Sequence, residues 1–192
     1  AVAELTAALE TAKAGTDQAA IDAAQAALDA EKGKPAMVVS TLIGKAPTLL
    51  YFGQEVGEAG ALDAGFGKPS RTSIFDYVGV PAHQGWLNGG KYDGGGLNAE
   101  QAALRAFYQR LLKFSSEAPA LKGQFVALQQ YQLATPGYSE QQLSFGRYSD
   151  QQQLVVVSNF ADQPVSFQLQ LPGELAQLWQ LAVFANKQSI RS

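Results

Sequence analysis

Gly44-Lys-Ala-Pro-Thr-Leu-Leu-Tyr-Phe-Gly-Gln-Glu-Val-Gly-Glu58 is the stretch on which the reading of this chain turns. Thr48 to Phe52 form an unbroken apolar run between Pro47 and Gly53. Such a run predicts a strand buried on both faces rather than one with a wet face. Polar residues follow at its C-terminal end. In parallel α/β proteins the loops leaving those strand tips converge on the ligand while helices pack along the flanks. Gln54, Glu55 and Glu58 are therefore candidate substrate-binding residues.

Upstream of this stretch, Lys34 to Ile43 predict a short helix, with Pro35 near its first turn and Gly44 just past its end. Residues 1 to 32 are Ala-rich. Val2, Leu5, Leu9 and Ala12, then Ile21, Ala24 and Leu28, recur at spacings of three and four and so share one face of each of two helices. Gly15 separates the two, and Thr16 or Asp17 can cap the second. The expectation is a helical hairpin. Its Ala-dominated stripe offers few large anchors for a partner, which favours a packed insertion or linker over a binding module.

Downstream, Gly57, Gly60, Gly65 and Gly67 mark a loop running to Pro69. Gly85-Trp-Leu-Asn-Gly-Gly-Lys91 fits the first seven positions of a phosphate-binding loop. That loop needs a Ser or Thr after its Lys and an apolar strand before it. Here Tyr92 follows and Pro81 interrupts the approach, so nucleotide binding is set aside. A surface loop remains, with Trp86 and Tyr92 as candidates to stack on a sugar ring. Asn98, with Gln101 three residues on, opens a helix whose Leu104, Phe107, Tyr108, Leu111 and Leu112 form a core-facing stripe. From Gln124 the pattern turns to strands: Phe125 to Tyr131, Leu143 to Tyr148, Leu154 to Phe160, Val165 to Leu171 and Leu178 to Phe184. An antiparallel sandwich is expected there, with the tail Asn186 to Ser192 lacking a partner run.

Pro47, the apolar run and Gly53-Gln54-Glu55 together resemble the eighth-strand signature of the α-amylase superfamily of glycoside hydrolases, glycoside hydrolase family 13. Arg71-Thr-Ser-Ile-Phe-Asp-Tyr77, the helix Ala102 to Phe114 with Ala118-Pro-Ala-Leu-Lys-Gly123 behind it, and Leu154-Val-Val-Val-Ser-Asn-Phe160 are similar to later parts of that family, in its order. The resemblance implies α/β plus β: the terminal portion of a (β/α)8 TIM barrel followed by an antiparallel β-sandwich. It divides the chain into a helical hairpin at 1–32, the last α/β unit and closing helix at 33–118, and a C-terminal β domain at 119–192. It also implies hydrolysis or transfer at α-glucosidic bonds of starch-type or maltooligosaccharide substrates. The family's three catalytic carboxylates lie on barrel strands upstream of the eighth, so no residue of this chain is assigned as catalytic, and the chain alone is expected to be inactive. A non-catalytic carbohydrate-binding or adaptor protein is the alternative from a different class.

With 192 residues, 46% hydrophobic and 16% charged, the chain can bury one sizeable core or two small ones. A net charge of −3 without a Lys/Arg cluster gives no footprint for nucleic acid or an anionic membrane surface. No apolar run approaches the ~20 residues of a membrane helix. Zero Cys excludes thiolate chemistry, and the lone His83 has no companion ligands, so neither metal nor cofactor is expected. The expected partners are an α-glucan or maltooligosaccharide and the missing N-terminal part of the barrel. The compartment stays open, with a periplasmic or secreted setting favoured over the cytoplasm.

Overall fold

Asn98 and Gln101 form a reciprocal capping box: Gln101 N donates to Asn98 Oδ1 at 2.8 Å, and Asn98 N donates to Gln101 Oε1 at 3.0 Å. From this cap runs the helix Ala99–Glu117, which buries Leu104, Tyr108 and Leu111 along the expected stripe. The computed structural model that shows this describes residues 1–58 and 80–179. The loop from 59 to Pro69, the Arg71–Tyr77 motif, the last predicted strand beyond Trp179 and the tail Asn186–Ser192 lie outside the described residues.

The chain divides into two compact units, Ala1–Gly33 with Thr48–Lys113 and Lys34–Pro47 with Phe114–Ser192. In chain order the helices are α1 (Val2–Lys13), α2 (Gln18–Leu42), α3 (Pro81–Leu87), α4 (Ala99–Glu117), α5 (Pro119–Lys122), α6 (Gln129–Gln132) and α7 (Gly173–Leu178). The strands are β1 (Gln124–Ala127), β2 (Gln142–Tyr148) and β3 (Gln153–Asn159). Asp17 starts α2, its Oδ1 accepting from Ala19 N at 3.0 Å. The short helix expected at 34–43 is the continuation of α2, with Pro35 in its interior.

The sequence-based fold expectation is corrected here. Neither the end of a (β/α)8 barrel nor a β-sandwich is present among the described residues; the chain is mixed helix with one three-stranded antiparallel sheet of order β1-β2-β3. Residues 48–52 form no strand, and Leu49 is 85% exposed. A strand buried on both faces of a parallel sheet needs a hydrogen-bonding neighbour at each edge. No described strand pairs with this run. The chain instead turns at Gly53, whose φ of 79° is left-handed, into a 3-10 turn at Gln54–Val56. A side chain at Gly53 would be strained by that φ and would set its Cβ 2.6 Å from Glu58 Cβ.

In the second unit, two of the expected strands form a hairpin, with Phe145 opposite Val156 and Ser149 N bonded to Gln152 O at 2.8 Å. The run Phe125 to Tyr131 breaks after Ala127. Leu128 is fully buried, and the chain coils into α6. Val165 to Leu171 alternates half-buried and exposed residues but joins no ladder. Gln132 takes the place of a neighbouring strand there: its Oε1 accepts from Gln170 N at 2.8 Å and its Nε2 donates to Gln170 O at 2.6 Å. Leu178 ends a helix rather than beginning a strand, and Trp179 packs with Leu128 and Leu175 against Val126 and Tyr148.

The central strand carries a buried cation. Arg147 on β2 is 1% exposed, and burial pushes its guanidinium below the ordinary arginine range. Its Nη1 donates to Ile43 O at 2.7 Å, Gly44 O at 3.0 Å and Leu42 O at 3.4 Å, while Nη2 donates to Leu121 O. Leu42 to Gly44 are the C-terminal end of α2 and its exit, where unpaired carbonyls and the negative end of the helix dipole favour a cation. A buried carbonyl left without its donor costs about 1–3 kcal/mol. Arg147→Met is therefore expected to lose about 3 kcal/mol or more in urea unfolding, and Arg147→Lys to lose less. A loss below about 1 kcal/mol for Arg147→Met would show that water replaces the guanidinium.

Candidate functional site

Tyr51 and Phe52 end the apolar run and are 48% and 39% exposed. Gln54 fixes the turn that follows. Its Oε1 accepts from Tyr51 N at 3.2 Å, and its Nε2 donates to the hydroxyl of Tyr108 on α4 at 2.9 Å. One amide thus ties the turn both to itself and to the helix. Arg105, Tyr108, Gln109 and Leu112 lie at i, i+3, i+4 and i+7 on α4, so they share the face presented to the turn. Between turn and helix is an open cavity of about 380 Å³. Leu50 to Gly53 and Glu55 line it from the turn, and the four α4 residues line it from the other side. Its volume lies within the range of small-ligand sites.

The five sequence candidates fall in different places. Glu55 lines the cavity. Gln54 stands behind it and positions Tyr51 and Tyr108. Glu58 accepts a hydrogen bond from His83 N at 3.0 Å and so anchors the start of α3. His83 lies on α3 with its ring 4.4 Å from that of Phe52. Trp86 is on the same helix, because Pro81 occupies the first helical turn instead of interrupting the segment. Its ring carries the Arg105 guanidinium at 4.6 Å, and Tyr92, 63% exposed, meets it edge-on at 6.0 Å. The loop after α3 is held by Asp93, whose Oδ1 accepts from Asn88 Nδ2 at 2.7 Å and from Gly95 N at 2.9 Å. Those two bonds, the Asn88 one first, keep the Asp93 carboxyl below its usual value.

Eight of the nine lining residues were not singled out as site candidates by the sequence, Tyr51, Phe52, Arg105, Tyr108 and Gln109 among them. The available signal was the i, i+3, i+4, i+7 row on α4, where two polar residues interrupt an otherwise apolar path. Among the described residues, no three of His, Asp and Glu converge as a metal-ligand set, and no described helix is long and apolar enough to cross a membrane. One carboxylate, Glu55, lines the cavity, whereas glycosidic hydrolysis of the usual kind takes two across the scissile bond. Comparison of the chain with protein-family models, curated proteins and solved structures finds no match.

Burial, and secondarily the charge of Glu55, hold the Tyr108 phenol above its ordinary value of 10.0, against the opposing hydrogen bond from Gln54. The native state therefore keeps this proton at a pH where the unfolded chain has released it. Stability falls as pH rises from about 10 up to the raised native value. Urea unfolding between pH 9 and pH 11 is expected to show this loss, and Tyr108→Phe to remove the part that Tyr108 contributes. An unchanged pH slope in Tyr108→Phe would place the titration elsewhere.

Proposed function

We propose that this chain is a non-catalytic, glucan-binding portion of an α-amylase-like glycosidase, acting on α-glucosidic bonds of starch-type or maltooligosaccharide substrates. The observation that carries this reading is the make-up of the cavity. Tyr51 and Phe52, both partly exposed, line it together with Glu55 and Gln109, which offers apolar surface for the flat side of a pyranose and hydrogen-bonding groups for its hydroxyls. The resemblance supports the choice of sugar: Gly53-Gln54-Glu55, which carries it, forms the turn at the cavity rim. A single lining carboxylate supports a holding role over a reacting one.

Calorimetric titration with maltotriose and maltopentaose tests the reading. Binding in the millimolar range is expected, weakened about fivefold by Tyr51→Ala, which corresponds to roughly 1 kcal/mol for one ring face no longer taken out of water. No release of reducing sugar is expected. Absence of binding by either oligosaccharide would sink the assignment, and turnover abolished by Glu55→Gln would replace it with a catalytic one.

A further inference from the structure

Arg105 lines the cavity with hydrogen-bonding capacity that is unused among the described residues. Among the described residues its guanidinium makes no hydrogen bond or ion pair, and its Nε is shielded from water with no partner. Among the described residues its partner is the ring of Trp86, 4.6 Å from the guanidinium carbon. A ring face holds a guanidinium without consuming its N–H donors, which lie in the guanidinium's own plane. Glu55 lines the same cavity, yet no ion pair joins it to Arg105. The cavity therefore presents a held cation and, apart from it, an acceptor and two exposed rings. Planar, multiply donating Arg suits the paired oxygens of a carboxylate or phosphate.

We infer that the cavity recognises an anionic sugar, a pyranose bearing a phosphate or carboxylate group, with Arg105 binding the anion and Trp86 positioning Arg105. This inference rests on the carbohydrate reading of the same cavity and goes beyond its neutral glucan by adding an anionic group to the sugar. The sugar ring lies against Tyr51 and Phe52, Glu55 accepts from its hydroxyls, and the anion meets the guanidinium. A bare anion would leave the rings and Glu55 without a role; a neutral sugar would leave Arg105 unpaired.

Calorimetric titration of the full chain with glucose, glucose 6-phosphate, glucuronate and inorganic phosphate tests this. At least one anionic sugar is expected to bind about tenfold or more tightly than glucose. The better of the two identifies the anion as phosphate or carboxylate. Arg105→Gln should bring the ratio to about one, and Arg105→Lys should keep part of it, because the point charge remains without the planar fork. Trp86→Leu should lower the ratio and Trp86→Phe restore it, a pattern that a purely structural Trp86 would not give. Circular dichroism confirms that each variant is folded. Equal binding of neutral and anionic sugars overturns the inference while the carbohydrate reading stands. A preference that survives Arg105→Gln, or inorganic phosphate bound as tightly as the phosphosugar, overturns it as well. No binding of glucose, glucose 6-phosphate or glucuronate overturns the inference, and the carbohydrate reading falls with it when maltotriose and maltopentaose also fail to bind.

Discussion

A polypeptide that leaves regular structure takes with it donors and acceptors that still need partners, and in this chain long polar side chains meet that need. Arg147 reaches from the central strand to four carbonyls. Gln132 pairs with both backbone groups of Gln170, as a neighbouring strand would. Gln142 Oε1 accepts from Ser139 N and its Nε2 donates to Asn159 Oδ1, both at 2.8 Å. Tyr138 contributes its hydroxyl to Gln129 and Gln142 O. In the first unit, Gln54 does the same for the turn at the cavity. With three strands in the sheet among the described residues, these side chains replace ladder hydrogen bonds that a larger sheet would provide from its backbone.

That arrangement explains which parts of the fold were legible. The start of α4 could be read because its cap and its stripe are local: Asn98, Gln101 and the Leu104 to Leu112 spacing lie within fifteen residues. β2 and β3 were legible because a short turn joins them. Residues 48–52 misled, since an apolar run states that a segment prefers burial without stating that a neighbour exists to bury it. Val165 to Leu171 misled in a related way. Alternation assigns one face inward, and that holds here, but the hydrogen-bond partner is the side chain of Gln132, which no periodicity announces.

The site was legible on one side only. Glu55 stands out because the turn after Phe52 gathers Gly, Gln and Glu. Arg105 and Gln109 read as the wet face of an amphipathic helix, and their meeting with Tyr51 and Phe52 depends on the turn at Gly53 and on the amide of Gln54. Trp86 was noticed for its ring, though what the ring holds is Arg105, nineteen residues further along the chain. Side-chain chemistry could be read from the residues; the pairing of the two walls could not.

The distribution of indole groups gives the molecule two built-in optical labels. Of the two tryptophans in the chain, Trp86 belongs to the first unit and Trp179 to the second. Their surroundings differ: Trp86 lies against a cation, whereas Trp179 is buried beside the Tyr148 ring, its Nε1 without a partner among the described residues. A chain keeping either indole alone reports on one unit without signal from the other, so the cooperativity of the two halves is accessible to intrinsic spectroscopy without any attached dye.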